Sequence, residues 1–317
     1  MTVLRVGVIG VGHLGQHHAR LYAALPGARL IGLVDADAAR AQLIAERHGT
    51  SVMADLPSLL KQVEAVSVAA TTSSHYGVVK ACLEAGVHVL VEKPIAVTPT
   101  EAWQLVELAQ QRKRVLQVGH IERFNPIMQA MRPHIRKPVF LECHRLSPFG
   151  ERGTDVDVVL DLMIHDLDLV LSMNPGPVEA VQAAGTPVLT SSNDIANARI
   201  EFRSGCVANL TASRVSTARM RRLRLFQRDA YLSVDFQTRQ GLICRRRAVA
   251  GERPVIDTEA VHGGEGEPLK LELEAFLAAC ATGQPPPVTG ADGAAALDLA
   301  YRVLEAIETF AQRHTSA

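Results

Sequence analysis

A surplus of either charge is missing from this sequence. Its 33 lysines and arginines meet 33 aspartates and glutamates, a formal net charge of zero, so no global basic field is present to hold nucleic acid or an anionic membrane. A membrane span is missing too. The longest charge-free run, residues 275–291, is 17 residues long and holds Pro285, Pro286 and Pro287, which interrupt a helix before it could cross a bilayer. No export signal is read at the start, because Arg5 stands inside the first apolar run and a glycine-rich turn follows. Cysteine is sparse: Cys82, Cys143, Cys206, Cys244 and Cys280 are scattered, odd in number and without C-x-x-C spacing. Free thiols in a reducing cytoplasm are expected, with no metal site. No internal repeat is seen, and the two low-complexity patches, 262–268 and 285–287, read as loops.

What is present describes an ordered globular chain. Hydrophobic residues make up 47% and charged residues 21%, far from disordered or collagen-like compositions. A length of 317 residues suits two domains. Up to about residue 119 short apolar runs at 4–9, 30–34, 65–69, 88–91 and 115–118 alternate with helical stretches, the pattern of βαβ units on a parallel sheet. Thr98-Pro99-Thr100-Glu101 is a capping box with proline at the first helical position. Beyond residue 120 the rhythm changes to strict alternation, with a hairpin over 196–213 turning at Ser204-Gly205 and further alternation at 223–226 and 232–236. The expected architecture is α/β: a doubly wound parallel sheet of the Rossmann type over 1–120, and an α+β domain with a mostly antiparallel, open-faced sheet over 121–317. A helix near 156–173 and terminal helices near 269–281 and 294–312 complete the reading.

The run Gly10-Val11-Gly12-His13-Leu14-Gly15 is G-x-G-x-x-G, set directly after a strand and opening a helix. Glycines there allow a tight turn, close approach of a pyrophosphate to the backbone, and close helix packing, while the helix N-terminus presents free N–H groups. Asp35 closes the second strand 20 residues after Gly15, where a carboxylate accepts hydrogen bonds from ribose hydroxyls and repels a 2′-phosphate. The expected cofactor is NAD rather than NADP.

Glu92-Lys93-Pro94 follows the strand at 88–91. In that tripeptide, together with the Gly10 to Gly15 fingerprint, Gly119-His120-Ile121-Glu122-Arg123-Phe124-Asn125-Pro126, and Asp161-Leu162-Met163-Ile164-His165-Asp166, the sequence resembles the Gfo/Idh/MocA family of oxidoreductases along nearly its whole length. The resemblance implies a Rossmann domain that binds the nicotinamide and a second domain that carries the substrate and often an oligomer contact. It also implies that Lys93, Asp161 and His165 are catalytic, and that Thr71, Thr72, His75, Glu92, Lys93 and Pro94 join the fingerprint residues at the cofactor. His120, Arg123 and Asn125 would line the sugar pocket.

The residues have physical readings of their own. Asp161 and His165, four apart on a helix, share a face, so the carboxylate can orient the imidazole as a general base; a buried polar pair tying helix to sheet fits the same spacing. Lys93 before a proline can present an ammonium to a developing oxyanion, or be a solvated loop lysine. The segment Thr71-Thr72-Ser73-Ser74 also reads as a cap on a helix beginning near His75. Arg123 can fork onto a phosphate or join an interdomain hydrogen-bond cluster with His120 and Asn125. His13, His17 and His18 read as partly exposed side chains without ligand partners. The basic run Arg219, Arg221, Arg222, Arg224 and Arg228 reads first as a solvated or subunit-facing surface, and second as an attractor of an anionic substrate.

Within the family the wording of 119–126 and 159–170 is similar to the subgroup that acts on nucleotide sugars in lipopolysaccharide assembly. This implies oxidation of the C3 hydroxyl of UDP-N-acetylglucosamine, with a pathway aminotransferase consuming the product on the way to the diamino sugar of lipid A. Dehydrogenation of inositol or another sugar, and a non-catalytic NAD- or sugar-sensing regulator, are the other readings of the same fold. A homodimer or homotetramer is expected by analogy.

Overall fold

The computed structural model of the chain describes residues 3–150, 156–247 and 255–314. In chain order its first elements are β1 (Leu4–Ile9), α1 (Gly15–Ala24), β2 (Ala28–Val34), α2 (Ala38–His48), β3 (Ser51–Val52), α3 (Leu56–Leu60), β4 (Ala65–Val68), α4 (Thr72–Glu84), β5 (His88–Glu92), α5 (Pro99–Arg112) and β6 (Leu116–Gly119). There follow α6 (Pro126–Met131), β7 (Phe140–Leu146), a π-helical turn Val159–Met163 that runs into α7 (Ile164–Ser172), β8 (Val178–Thr186), β9 (Ile195–Phe202) and β10 (Val207–Ser213). The remaining elements are β11 (Met220–Phe226), β12 (Ala230–Asp235), β13 (Gln240–Arg247), β14 (Val255–His262), α8 (Pro268–Thr282) and α9 (Gly290–His314).

Packing divides the chain into two units, Met1–Ile121 with Glu267–Leu297, and Glu122–Gly266 with Asp298–Ala317. The first break falls at 121/122, and the stretch 267–297, expected in the second domain, packs with the first unit. Leu269, Leu273, Phe276 and Leu277 of α8 are buried in one cluster with Val6, Tyr22 and Leu90 of the first unit. Their i, i+4, i+7, i+8 spacing makes an apolar stripe, and each fully buried side chain of this size contributes about 1.5–3 kcal/mol. Nothing local in the stripe names its partner.

The first unit holds an all-parallel sheet in the order β3-β2-β1-β4-β5-β6. β4 and β6 are buried throughout, as strands covered on both faces must be. The order reverses between β1 and β4, the switch point that opens a crevice at the carboxyl ends of these strands. Local chemistry fixes the helix starts. Both bonds of the capping box form, Glu101 N–H to Thr98 Oγ1 at 3.2 Å and Thr98 N–H to Glu101 Oε2 at 3.1 Å. Helix α2 begins at Asp37, which accepts Arg40 N–H at 2.9 Å, and ends at Gly49 with φ 64°.

The second unit holds a sheet in the order β14-β13-β12-β11-β7-β10-β9-β8, antiparallel except for the parallel pair β7 and β10. Alternation along β7, β10 and β12 puts Leu141, Cys143, Leu210, Leu232 and Val234 on a buried face and leaves the other face half-exposed. The expected hairpin is β9 and β10. Strands β13 and β14 carried no readable alternation, because β14 is exposed almost throughout; Arg245 pairs with Glu259 and Arg247 with Asp257 across the two strands.

Candidate functional site

The residues that chemistry singled out stand in both units, and each unit supplies its own group. In the first, β1 delivers the chain into the glycine turn. Gly10 has φ 82°, and a Cβ on it would stand 2.6 Å from the Ala70 backbone nitrogen, so only glycine fits. A Cβ on Gly15 would collide with the Gly10 carbonyl oxygen. Gly12 is different: no atom lies within 4 Å of where its Cβ would be, an open approach to the backbone beside the N-terminus of α1. A dinucleotide pyrophosphate fits such a cradle. His13 and Leu14 are exposed at this turn.

Asp35 at the end of β2 is held in place by its neighbours. Its Oδ2 accepts Val11 N–H at 2.6 Å and its Oδ1 accepts Asp37 N–H at 2.8 Å and Arg40 Nη2 at 2.7 Å. Burial opposes its ionisation, but the Arg40 bond and the backbone donors outweigh that and hold the carboxyl below its ordinary value. The carboxylate expected at a ribose is thus anionic, oriented, and accompanied by a half-exposed arginine that sequence reasoning had not named.

Around Glu92-Lys93-Pro94 the structure corrects several expectations. His18, read as a partly exposed helix residue, is fully buried and bonds Glu92 Oε1 through Nε2 at 3.0 Å. Glu92, expected at the cofactor, is itself buried in this pair. Burial works against its charge, while the His18 bond and the nearby Lys93 ammonium outweigh it and keep the carboxyl below its ordinary value. The Lys93–Pro94 peptide is cis. His75, likewise expected at the cofactor, is buried with Nδ1 2.8 Å from the Pro94 carbonyl oxygen and Nε2 3.1 Å from that of Ala70. Burial lowers its pKa although the two carbonyls pull the other way; the ring stands between the Pro94 loop and the end of β4, and in its neutral form donates to one of the two carbonyls. Helix α4 starts at Thr72, with Thr71 as the preceding cap residue and Ser74 Oγ donating to the Thr71 carbonyl at 2.7 Å, three residues before the start expected near His75. His120 lies buried just after β6.

In the second unit Asp161 sits in the π turn and His165 in the first turn of α7, both half-buried. The helix was expected to be regular; the π turn, a feature frequent at functional sites, was not legible. Its start is clamped. Asp157 accepts Val159 N–H at 2.9 Å through Oδ1 and Asn193 Nδ2 at 2.7 Å through Oδ2. Buried Arg214 donates to the Val156 carbonyl at 2.5 Å and to Asp194 Oδ1 at 2.7 Å, and Asp194 also accepts the backbone N–H groups of Val188, Leu189 and Thr190. Beneath His165, Arg145 forks onto Asp166 at 3.0 and 2.8 Å and reaches Glu122 at 2.9 Å, all three buried. Burial raises the Asp166 carboxyl, while at Glu122 the charges of Arg145 and Arg221 overcome burial and lower it.

Arg123 and Asn125 have partners inside the second unit. Arg123 Nε and Nη2 fork onto Asp168 at 2.8 and 2.5 Å. Asn125 caps α6 through Ile127 N–H at 3.3 Å and donates to Glu122 and to the Phe236 carbonyl. Ile127 and Glu122 are near neighbours of Asn125, whereas Asp168 and Phe236 lie 45 and 111 residues from their partners and no spacing signals them. Among the described residues no helix is long and apolar enough to cross a membrane, no cluster of His, Cys, Asp and Glu could hold a metal ion, and all five cysteines are free.

Known proteins share this arrangement. A family model described as an oxidoreductase family with an NAD-binding Rossmann fold matches residues 4–120, and one described as a GFO/IDH/MocA C-terminal domain matches 128–233. UDP-N-acetylglucosamine 3-dehydrogenase of Acidithiobacillus ferrooxidans is 41% identical over 316 residues, covering 99% of this chain and 100% of that protein. Inositol 2-dehydrogenase 1 of Saccharopolyspora erythraea is 30% identical over 97% of this chain and 95% of its own length. The solved structure of the Acidithiobacillus dehydrogenase superposes with a TM-score of 0.92 at 40% identity over 98% of this chain and 99% of that one. Levoglucosan dehydrogenase in complex with NADH and levoglucosan shares the fold at 19% identity, with a TM-score of 0.87 over 97% of this chain and 98% of that one.

Proposed function

The chain belongs to the GFO/IDH/MocA oxidoreductase family, and from that premise we propose that it oxidises the C3 hydroxyl of UDP-N-acetylglucosamine to the 3-keto sugar with NAD as acceptor. The observation that carries this reading is the end-to-end likeness, at 41% identity, to a dehydrogenase of that name. When bound, the nicotinamide supplies a hydride acceptor. The chain's own residues do the rest. His165, oriented by Asp161 on the same half-exposed helix face, takes the hydroxyl proton as the carbon gives up its hydride. The Lys93 ammonium stabilises negative charge on the reacting oxygen until the carbonyl has formed. Asp35 receives the adenosine ribose, and the Gly10 to Gly15 turn the pyrophosphate.

The product, a β-keto nucleotide sugar, is the kind of substrate an aminotransferase converts to a 2,3-diamino sugar of lipid A, and a cytoplasmic site of action suits five free thiols. The half-exposed sheet face, where Phe140, Phe226 and Tyr231 cluster at 5.0–5.6 Å between rings, is the surface on which a homodimer or homotetramer would form. Incubating the purified chain with NAD and a panel of UDP-sugars, inositol and free hexoses tests the reading, with mass spectrometry or a coupled aminotransferase to draw the ketone off. NADH formation with UDP-N-acetylglucosamine is the expected result; turnover of inositol instead would transfer the assignment to the relatives at 30% identity.

A further inference from the structure

The run of arginines around β11 looks like one basic patch in the sequence and is two in the structure. Strand parity separates them. Arg222 and Arg224 stand on the half-exposed face, where they are neutralised by Asp235 at 3.3 Å and Glu142 at 3.0 Å. Arg221 shares the other face with buried Leu223 and Leu225, and its register partner on β7 is Arg145. Its ties differ as well. The nearest carboxylate is Glu122 at 3.6 Å, and that carboxylate already holds Arg145 at 2.9 Å. The Arg221 side chain stays 45% exposed, so its fork has room for another anion. Arg219 lies close enough for its charge to bear on Arg221.

The local balance favours an anion. Among the described residues the ion pairs of Arg145 and Arg221 are made with Glu122 and Asp166, two carboxylates beside the three cations Arg145, Arg219 and Arg221, and burial pushes the Asp166 carboxyl toward its neutral form, so positive charge is in local excess on a protein with none overall. Burial and the neighbouring Arg145 cation also make the Arg221 charge costly as it stands, a cost that an added anion removes. The position is informative too. Asp166 follows His165 directly, so the cluster begins one residue, about 3.8 Å of chain, from the base. In a hexopyranose the C3 hydroxyl and the anomeric oxygen lie on one ring. A base engaged at C3 therefore brings a diphosphate at C1 within a ring's width.

We infer that Arg221, assisted by Arg219, binds the diphosphate of the nucleotide sugar and so separates such substrates from free sugars and cyclitols. The inference rests on the nucleotide-sugar reading above and deepens it. A guanidinium suits the role because its planar fork matches two phosphate oxygens at once.

Titrating UDP into the full chain with NAD present tests it, alongside turnover of UDP-N-acetylglucosamine. Arg221→Gln is expected to weaken UDP and raise KM for the sugar nucleotide by about 10- to 100-fold, with kcat and the NAD affinity changed by less than about threefold. Arg222→Gln, on the opposite face, should leave UDP binding as it was. Arg221→Lys keeps the charge beside Glu122 and Asp166 without the fork; it should bind UDP with intermediate affinity, and it takes the place of Arg221→Gln if that variant fails to fold. UDP affinity equal to wild type in the folded variant, or a wild type that does not bind UDP, overturns the inference. Wild-type turnover of UDP-N-acetylglucosamine in either event leaves the activity reading intact, and its absence sinks that reading separately.

Discussion

Replacing His18 by leucine isolates the buried pair that joins α1 to the Lys93 loop. The leucine removes the hydrogen bond to Glu92, a bond to a charged group worth about 1.5–3 kcal/mol, and leaves a buried carboxylate with the Lys93 ammonium and backbone N–H still beside it, so its cost stays under the about 3–5 kcal/mol of a buried charge with no partner. The carboxyl can escape part of that cost by taking a proton. From its ordinary value of 4.5, protonation at pH 7 costs about 3.4 kcal/mol at 1.36 kcal/mol per unit, so the penalty for the stranded charge cannot exceed that figure, and at pH 5 it falls below about 1 kcal/mol. The sign follows from linkage. In the wild type the Glu92 carboxyl is depressed, so its contribution is present above pH 4.5 and fades as pH drops through the folded value. In His18→Leu the carboxyl is raised, so the folded state binds more protons than the unfolded one and loses stability as pH climbs. The variant should therefore melt lower at pH 7, by about 6–12 °C for a loss of about 3 kcal/mol in a unit of this size, and the gap should narrow at pH 5.5. Differential scanning calorimetry at the two pH values reads this directly. A gap that is absent, or that widens on acidification, would refute the reasoning. His18→Gln, which restores a donor toward Glu92, should recover most of the loss.

The other expectations are simpler. His165→Asn should cut kcat by about 10²–10⁴ and Lys93→Met by about 10²–10³ while NADH binding, followed by fluorescence, stays within a few-fold; full activity in both would refute the assigned roles. Asp35→Asn keeps one of the two acceptor oxygens and removes the charge that repels a 2′-phosphate, so the KM ratio of NADP to NAD should fall by about tenfold with Arg40 left to meet the phosphate; an unchanged ratio would count against Asp35 as the selector. Arg214→Met strands buried Asp194, a carboxyl held well below its ordinary value because the Leu189 and neighbouring N–H groups and Arg214 outweigh its burial. It should lower both kcat and the melting temperature at pH 7 without altering NAD affinity, and the wild type's advantage in stability should fade as pH falls below the ordinary aspartate value of 3.8.

How far the sequence was legible depends on the range over which each feature is decided. The capping box at Thr98, the glycine turn and the β9 and β10 hairpin are written within a few residues, and they form as read. The return of α8 to the first unit is settled by which surface Phe276 meets, and a stripe of apolar residues says only that some surface will be met. The site residues divide along the same line. Lys93, Asp161 and His165 stand out by motif, whereas His18, Arg145, Asp194 and Arg214 owe their roles to partners 20 or more residues away. Arg123 belongs with them: its guanidinium forks onto Asp168, 45 residues on, a partner that no local pattern names.

The π turn is a vernier between two sets of anchors. Val156 and Asp157 are pinned by Arg214 and Asn193, while Leu167, Leu169 and Val170 are pinned by the core, with the π turn between them. The turn carries one surplus residue, and Leu160, Asp161 and Leu162 stand half-exposed in succession along it. Deleting a residue there would make the helix regular and would turn one set of anchors by about 100° against the other, so the orientation of His165, the proposed base, depends on a break in the helix's own periodicity.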